Sequence, residues 1–275
     1  MVRLAIAVIP AILAVLVTSQ SSAQSVSSLV EGNNNGVVTS DPQGPSSSTV
    51  SSSLTFTGPF SVDFSQDGFG NAVQRPDGVG AVLVDAVFAN GQSGNFVIAR
   101  TTWTETATNN GGVPINYTFD FLITPPSLRI ADFAGLEETD VFRPDVSFLA
   151  TIRVDGAPVF VAGANLIGGF VSHVLNETGT SLSPIFVGSG SVFGYDFQGY
   201  ADGLDLGVVA AGASITVEYE MIVRVDTPGF EAGGRAQLGD PFDLDGTPGF
   251  SGGLAPGGAV PTGASTWGRI KRLYH

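Results

Sequence analysis

Thirteen consecutive residues, Ser214–Asp226, alternate with a period of two. Ile215, Val217, Tyr219, Met221, Val223 and Val225 fall on one side. Thr216, Glu218, Glu220, Arg224 and Asp226 fall on the other, and Ile222 is the only break. Successive side chains of an extended strand point to opposite faces, so this segment buries one face and wets the other. The period returns over residues 114–124, where Ile115, Tyr117, Phe119, Phe121 and Ile123 share a face, and over 95–106, with Val97, Ala99 and Trp103. Asn109-Asn110-Gly111-Gly112 separates these two runs and supplies residues tolerant of positive φ. We read 96–123 as a long hairpin. Residues 147–164 form another, with Phe148, Ala150, Ile152 and Val154 leading into Asp155-Gly156 and Val159 and Val161 returning.

Many short alternating runs between Gly, Asn, Asp and Pro clusters predict an all-β fold. The expected architecture is an antiparallel β-sandwich, jelly-roll or immunoglobulin-like, over residues 49–251. Further strands are expected at 50–57, 60–65, 81–88, 168–175, 182–187 and 191–198. Flexible termini rich in Gly, Ser and Pro are expected on either side, over 24–48 and 252–275. The whole stretch 228–266 reads as loop, from its glycines and prolines. A short helical turn is expected within Trp267–His275, where Trp267, Ile270 and Leu273 are spaced by three.

The first residues carry an address. Arg3 precedes an apolar run from Leu4 to Val17, and Ser21 and Ala23 stand at the −3 and −1 positions of a cleavage site. These are the three parts of a secretory signal peptide, so residues 1–23 are expected to be removed and the chain to act outside the cytoplasm. The apolar run is too short for a transmembrane span, and no later segment is long and apolar enough for one.

Composition excludes several chemistries. There is no cysteine, so thiol catalysis, thiolate metal sites and disulfide switching do not arise. The net charge is −14, and Lys271 is the only lysine. An acidic body repels phosphate backbones, which argues against nucleic acid and anionic membranes as partners. A Ser-His-Asp arrangement needs a histidine base. The only histidines are His173, which reads as a strand-end residue, and the terminal His275. No catalytic residue is assigned.

Three weaker candidates remain. Asp240, Asp243 and Asp245, followed by Gly246, offer carboxylates on a tight loop and are the candidate calcium ligands; Asp202 and Asp205 repeat the pattern more sparsely. Trp103, Tyr195, Phe197 and Tyr200 are candidates for a sugar-stacking platform, although aromatics on alternating strands are more often core. Paired carboxylates for glycoside hydrolysis are the third. Asp63, Glu105, Asp120, Glu218 and Glu220 instead read as the solvated faces of strands.

The phrases TETATNNGGVPINYTFDFLITPPSLRI, LDLGVVAAGASITVEYEMIVRV and GRAQLGDPFDL carry a resemblance. Across about residues 50–250 the chain resembles bacterial exported proteins of the PEP-CTERM and choice-of-anchor type. The tail, GAVPTGASTWGRIKRLYH, departs from that pattern: it keeps a proline and a basic finish but has no apolar membrane helix. The resemblance implies a sandwich with an extracellular surface or matrix role and no catalytic residues. The expected function is therefore a secreted structural or adhesive protein, not an enzyme. Its expected partners are extracellular polysaccharide or other surface proteins. A carbohydrate-binding module, supported by calcium, is the alternative, and a two-carboxylate glycoside hydrolase is the third reading.

Overall fold

A computed structural model describes residues 21–34, 36–58, 66–74, 80–88, 95–132, 135–141, 143–227, 232–239 and 254–256. All regular structure among them is strand. In chain order these are β1 (Ser21–Asn34), β2 (Val37–Ser46), β3 (Val50–Gly58), β4 (Gln66–Gln74), β5 (Gly80–Phe88), β6 (Asn95–Thr108), β7 (Ile115–Ile123), β8 (Ser127–Asp132) and β9 (Asp145–Val154). They continue with β10 (Ala157–Gly168), β11 (His173–Gly179), β12 (Ile185–Ser189), β13 (Val192–Asp196), β14 (Tyr200–Val209), β15 (Ser214–Thr227), β16 (Ala232–Gly239) and β17 (Leu254–Pro256). No helix among the described residues is long and apolar enough to cross a membrane.

Every strand pair is antiparallel. One sheet runs β11-β10-β9-β15-β6-β1-β2 and a second runs β12-β13-β8-β16-β5-β4-β3. A third, of three strands, runs β14-β7-β17. The second and third form one bent layer. β7 leads into β8 through Thr124-Pro125-Pro126, and β13 leads into β14 beside it. Proline removes a ladder donor, so the pairing breaks there and the layer turns. The Phe197 N–H closes the bend by donating to Pro126 O at 3.0 Å.

The first sheet covers this bent layer. Val97, Ala99, Val223 and Val225 are buried at one end of its inner face, opposite the second sheet. Trp103 and Tyr219 are buried at the other end, where Trp103 stacks on Phe119 at 5.4 Å and Tyr219 meets the edge of Phe121 at 6.3 Å. The result is the expected all-β sandwich.

Particular elements differ from expectation. β6 and β7 do not pair with each other: β6 lies between β1 and β15, and β7 between β14 and β17. Their apolar faces look at each other from opposite layers, so the connection is an arch, although its alternation is the same as a hairpin's. Asn109 pins this arch. Its side-chain amide donates to Val113 O and Val209 O, both at 2.9 Å, and its oxygen accepts from the Gly111 N–H at 2.9 Å. The Asp155-Gly156 turn does join a true hairpin, with φ of 49° and 82° at its two residues, as a two-residue turn matching strand twist requires.

The segment 24–48 is not a flexible leader. β1 pairs with β6 over thirteen positions, and β2 pairs with β1. Val26, Ser28, Val30 and Gly32 alternate inward and are buried. The small polar Ser28 is satisfied across the core by Ser52, their hydroxyls 2.7 Å apart. β16 also lies inside the stretch expected to be loop, as an inner strand between β8 and β5. Its glycines reflect close packing: a Cβ on Gly234 would sit 2.5 Å from Val146 Cγ1 and 2.7 Å from Val225 Cγ1. Residues 1–20, the expected strand at 60–65 and the tail from 257 lie outside the described residues.

Candidate functional site

Asp240, Asp243 and Asp245 lie outside the described residues. The sparser acidic pair is described, and its oxygens are engaged locally. Asp202 accepts from the Tyr200 hydroxyl at 3.0 Å and the Gly203 N–H at 2.8 Å. Asp205 accepts from the Gly207 N–H and from Asn116 Nδ2, both at 3.0 Å. The Gly207 N–H, with Asn116 second, holds the Asp205 carboxyl below the usual carboxylate range.

The four aromatics of the proposed sugar platform are not on one open surface. Trp103 and Phe197 are buried. Tyr200 is half-buried and stacks on Phe160 at 5.3 Å. A ring stacked inside the core has no face left for a sugar, so Trp103 belongs to the fold. Tyr195 joins a different cluster.

The carboxylates likewise serve the fold. Glu218 and Glu220 lie on the outer face of β15, where Arg153 reaches both, at 2.6 and 3.1 Å; Arg100 meets Glu220 from the other side at 3.4 Å. Glu105 is not on a solvated face. It is buried beside Trp103, and its Oε2 accepts from the Leu254 N–H at 3.3 Å, tying β17 to β6. Asp132 is buried and accepts from Gly135, Leu136 and Phe170 N–H groups at 2.8–2.9 Å. Asp63 lies outside the described residues.

Asp145 and Asp226 sit directly opposite on β9 and β15. Burial, reinforced by the Asp226 charge, raises the Asp145 carboxyl above its ordinary value despite the Asn165 hydrogen bond and the charges of Arg224 and Arg143. A raised carboxyl pKa costs nothing below its unfolded value, where both states are protonated. Stability is then lost as pH rises from there through the native value. Asp145→Asn removes that loss. Its melting temperature is expected to exceed that of the wild type at neutral pH and to converge with it in acid; a lower value at neutral pH would contradict this account.

The feature that sequence reasoning missed surrounds His173. This residue opens β11 and stacks parallel on Phe186 of β12, centroids 5.7 Å apart. Phe193 lies 4.6 Å away and Tyr195 6.1 Å. The Tyr195 hydroxyl is 3.4 Å from His173 Nε2. Phe193 is fully buried, whereas Phe186 is 52% exposed. Two sheet edges thus meet at an aromatic seam that is open to solvent. Its sequence signal was present: Phe186 and Tyr195 pair across the β12–β13 hairpin and share a face. Nothing local placed His173 against them, because β11 belongs to the other sheet.

Among known proteins, no family model matches the chain, and neither does any curated protein. Solved structures of infectious bursal disease virus, Gt and Gx strains, align at 10% and 11% identity. The alignments cover 94% and 91% of this chain and 86% and 72% of theirs, with a TM-score of 0.12 in each case. At that score the likeness carries no argument about fold or function.

Proposed function

We propose that this chain is a secreted, non-catalytic structural or adhesive protein of a cell surface or extracellular matrix. The observation that carries the reading is the work its described carboxylates do. Asp132 fixes two loops, Glu105 ties β17 to β6, and Glu218 and Glu220 cross-link three strands through arginines. A catalytic acid or base needs a reachable proton in a substrate cleft, and these groups face backbone amides and guanidinium groups instead. The export signal and the resemblance to exported surface proteins agree with this use of the fold, although fold alone assigns no function.

The test is retention of the full mature chain on insoluble polysaccharides and on its host's extracellular matrix, with calcium and with chelator. Retention on host matrix is expected. Selective retention on one polysaccharide would replace this reading with a binding module, and dependence on calcium would direct attention to Asp240, Asp243 and Asp245. Failure to bind the matrix would overturn the adhesive role.

A further inference from the structure

The two open sides of the sandwich are finished differently. On one side lie β2 and β3. β2 carries Pro42 and Pro45, which have no N–H to offer, and Asp41 accepts the Ser53 N–H of β3 at 2.8 Å. That donor would otherwise point out of the sheet. Prolines and charges at an edge are the usual protection against pairing with another chain.

On the other side lie β11 and β12, where the described residues supply less of this protection, Glu177 being the one carboxylate on the two strands. His173–Gly179 and Ile185–Ser189 contain no proline and no lysine. Exposed apolar residues gather there in greater number than Val37 and Val38 on β2: Phe170, Val171, Val174, Ile185, Phe186 and Val192, each between 39% and 63% exposed. Their placement is fixed from beneath. Buried Asp132 holds the Phe170 N–H at 2.8 Å, Phe170 meets Phe193 at 6.0 Å, and His173 braces Phe186. An apolar strip held from beneath, along an edge whose described strands carry no proline, marks an interaction surface.

We infer that the occupant is a second copy of this chain, joined antiparallel through β11 about a two-fold axis at Leu175. A two-fold contact must be self-complementary, since the same strand supplies both halves. β11 meets that demand. With Leu175 opposite Leu175 of the second copy, His173 faces Glu177 and Glu177 faces His173, so each carboxylate meets an imidazole, not another carboxylate. Val174 then faces Asn176 on the outer side. Like charges directly opposite would be destabilising, and this register avoids them. Pairing of this kind adds main-chain hydrogen bonds along β11, fuses the two β11-containing sheets into one and covers the strip beside them. The overall charge of −14 opposes the approach of two copies, so salt, by screening that repulsion, strengthens the association.

Sedimentation velocity of the full mature chain over a range of concentrations, at low and moderate salt, tests the inference. A concentration-dependent dimer that tightens with salt is expected. Val174→Lys places a charge on the exposed face of β11 and should weaken dimerisation at least about tenfold, a change equal to about 1.4 kcal/mol, while the far-UV spectrum stays unchanged. Glu177→Lys opposes lysine to His173 and should weaken it as well. Val38→Lys, on the protected side, should leave it intact. A wild type that remains monomeric throughout would overturn the inference, and so would a dimer indifferent to both β11 variants. Neither result depends on matrix binding, so the adhesive role stands or falls separately.

Discussion

Trp103→Ala is expected to destabilise the protein by about 3–5 kcal/mol, the range for removing a large aromatic from a packed core. Trp103 is 1% exposed and stacks on Phe119 at 5.4 Å; Phe119 in turn stacks on Phe121 at 6.3 Å. The indole is thus the first sheet's main contribution to the end of the core covered by β7. Its loss leaves a void between two layers, each held in place by its own ladder, so collapse is limited and the cost falls toward the upper part of that range. For a chain of this size each kcal/mol moves the melting point by about 2–4 °C, which gives a drop of about 6–20 °C. Thermal melts of the two proteins under one buffer condition decide it. A shift under about 2 °C would mean that Trp103 does not bridge the layers.

Gly234→Val is expected to cost about 3 kcal/mol, the upper end for overpacking, because neither neighbour has room to move. The added Cβ alone would lie 2.5 Å from Val146 Cγ1 and 2.7 Å from Val225 Cγ1. Val146 and Val225 are themselves partners across β9 and β15, fully buried, so the clash falls on the face of a paired sheet. Val225→Ala in the same chain should recover part of the loss, since residues in contact do not add independently. Gly112→Ala is the control: no atom lies within 4 Å of the Cβ it would add, and its melt should match the wild type. Denaturant unfolding of the three variants and the wild type reads all of this. Equal stability of Gly234→Val and wild type would show that β16 does not sit against the first sheet.

What the sequence revealed depended on whether the deciding interaction was local. The Asp155-Gly156 hairpin was legible because turn and strands lie within a few residues of one another. The long faces of β7 and β15 were legible because a period of two survives whatever lies opposite. β1 and β16 were not. Their strand residues are serine and glycine, chosen for what stands across the core: Ser28 meets Ser52 in the other layer, and Gly234 makes room for Val146 and Val225. Composition read those residues as flexible, since the reason for them lies elsewhere in the chain. β6 and β7 carried the pattern of a hairpin and form an arch, because alternation states which residues are buried but not which sheet receives the strand.

The same limit applied to function. Glu105 looked like a solvated strand residue and is a buried tie to β17, a contact 149 positions away in sequence. His173 looked like an idle strand-end residue and stands in an aromatic seam, because β11 and β12 are adjacent edges of different sheets. Trp103, the most prominent candidate for sugar stacking, is core.

Export is the claim on which the surface role depends, and fractionation of the host's cells with intact-mass analysis of the recovered protein tests it most directly. Recovery outside the cytoplasm with a mature N-terminus at Gln24 is expected. A cut there removes only the first three residues of β1, and Gln24 through Asn33 remain paired with Glu105 through Phe96. Protein retained in the cytoplasm with Met1 in place would contradict the account.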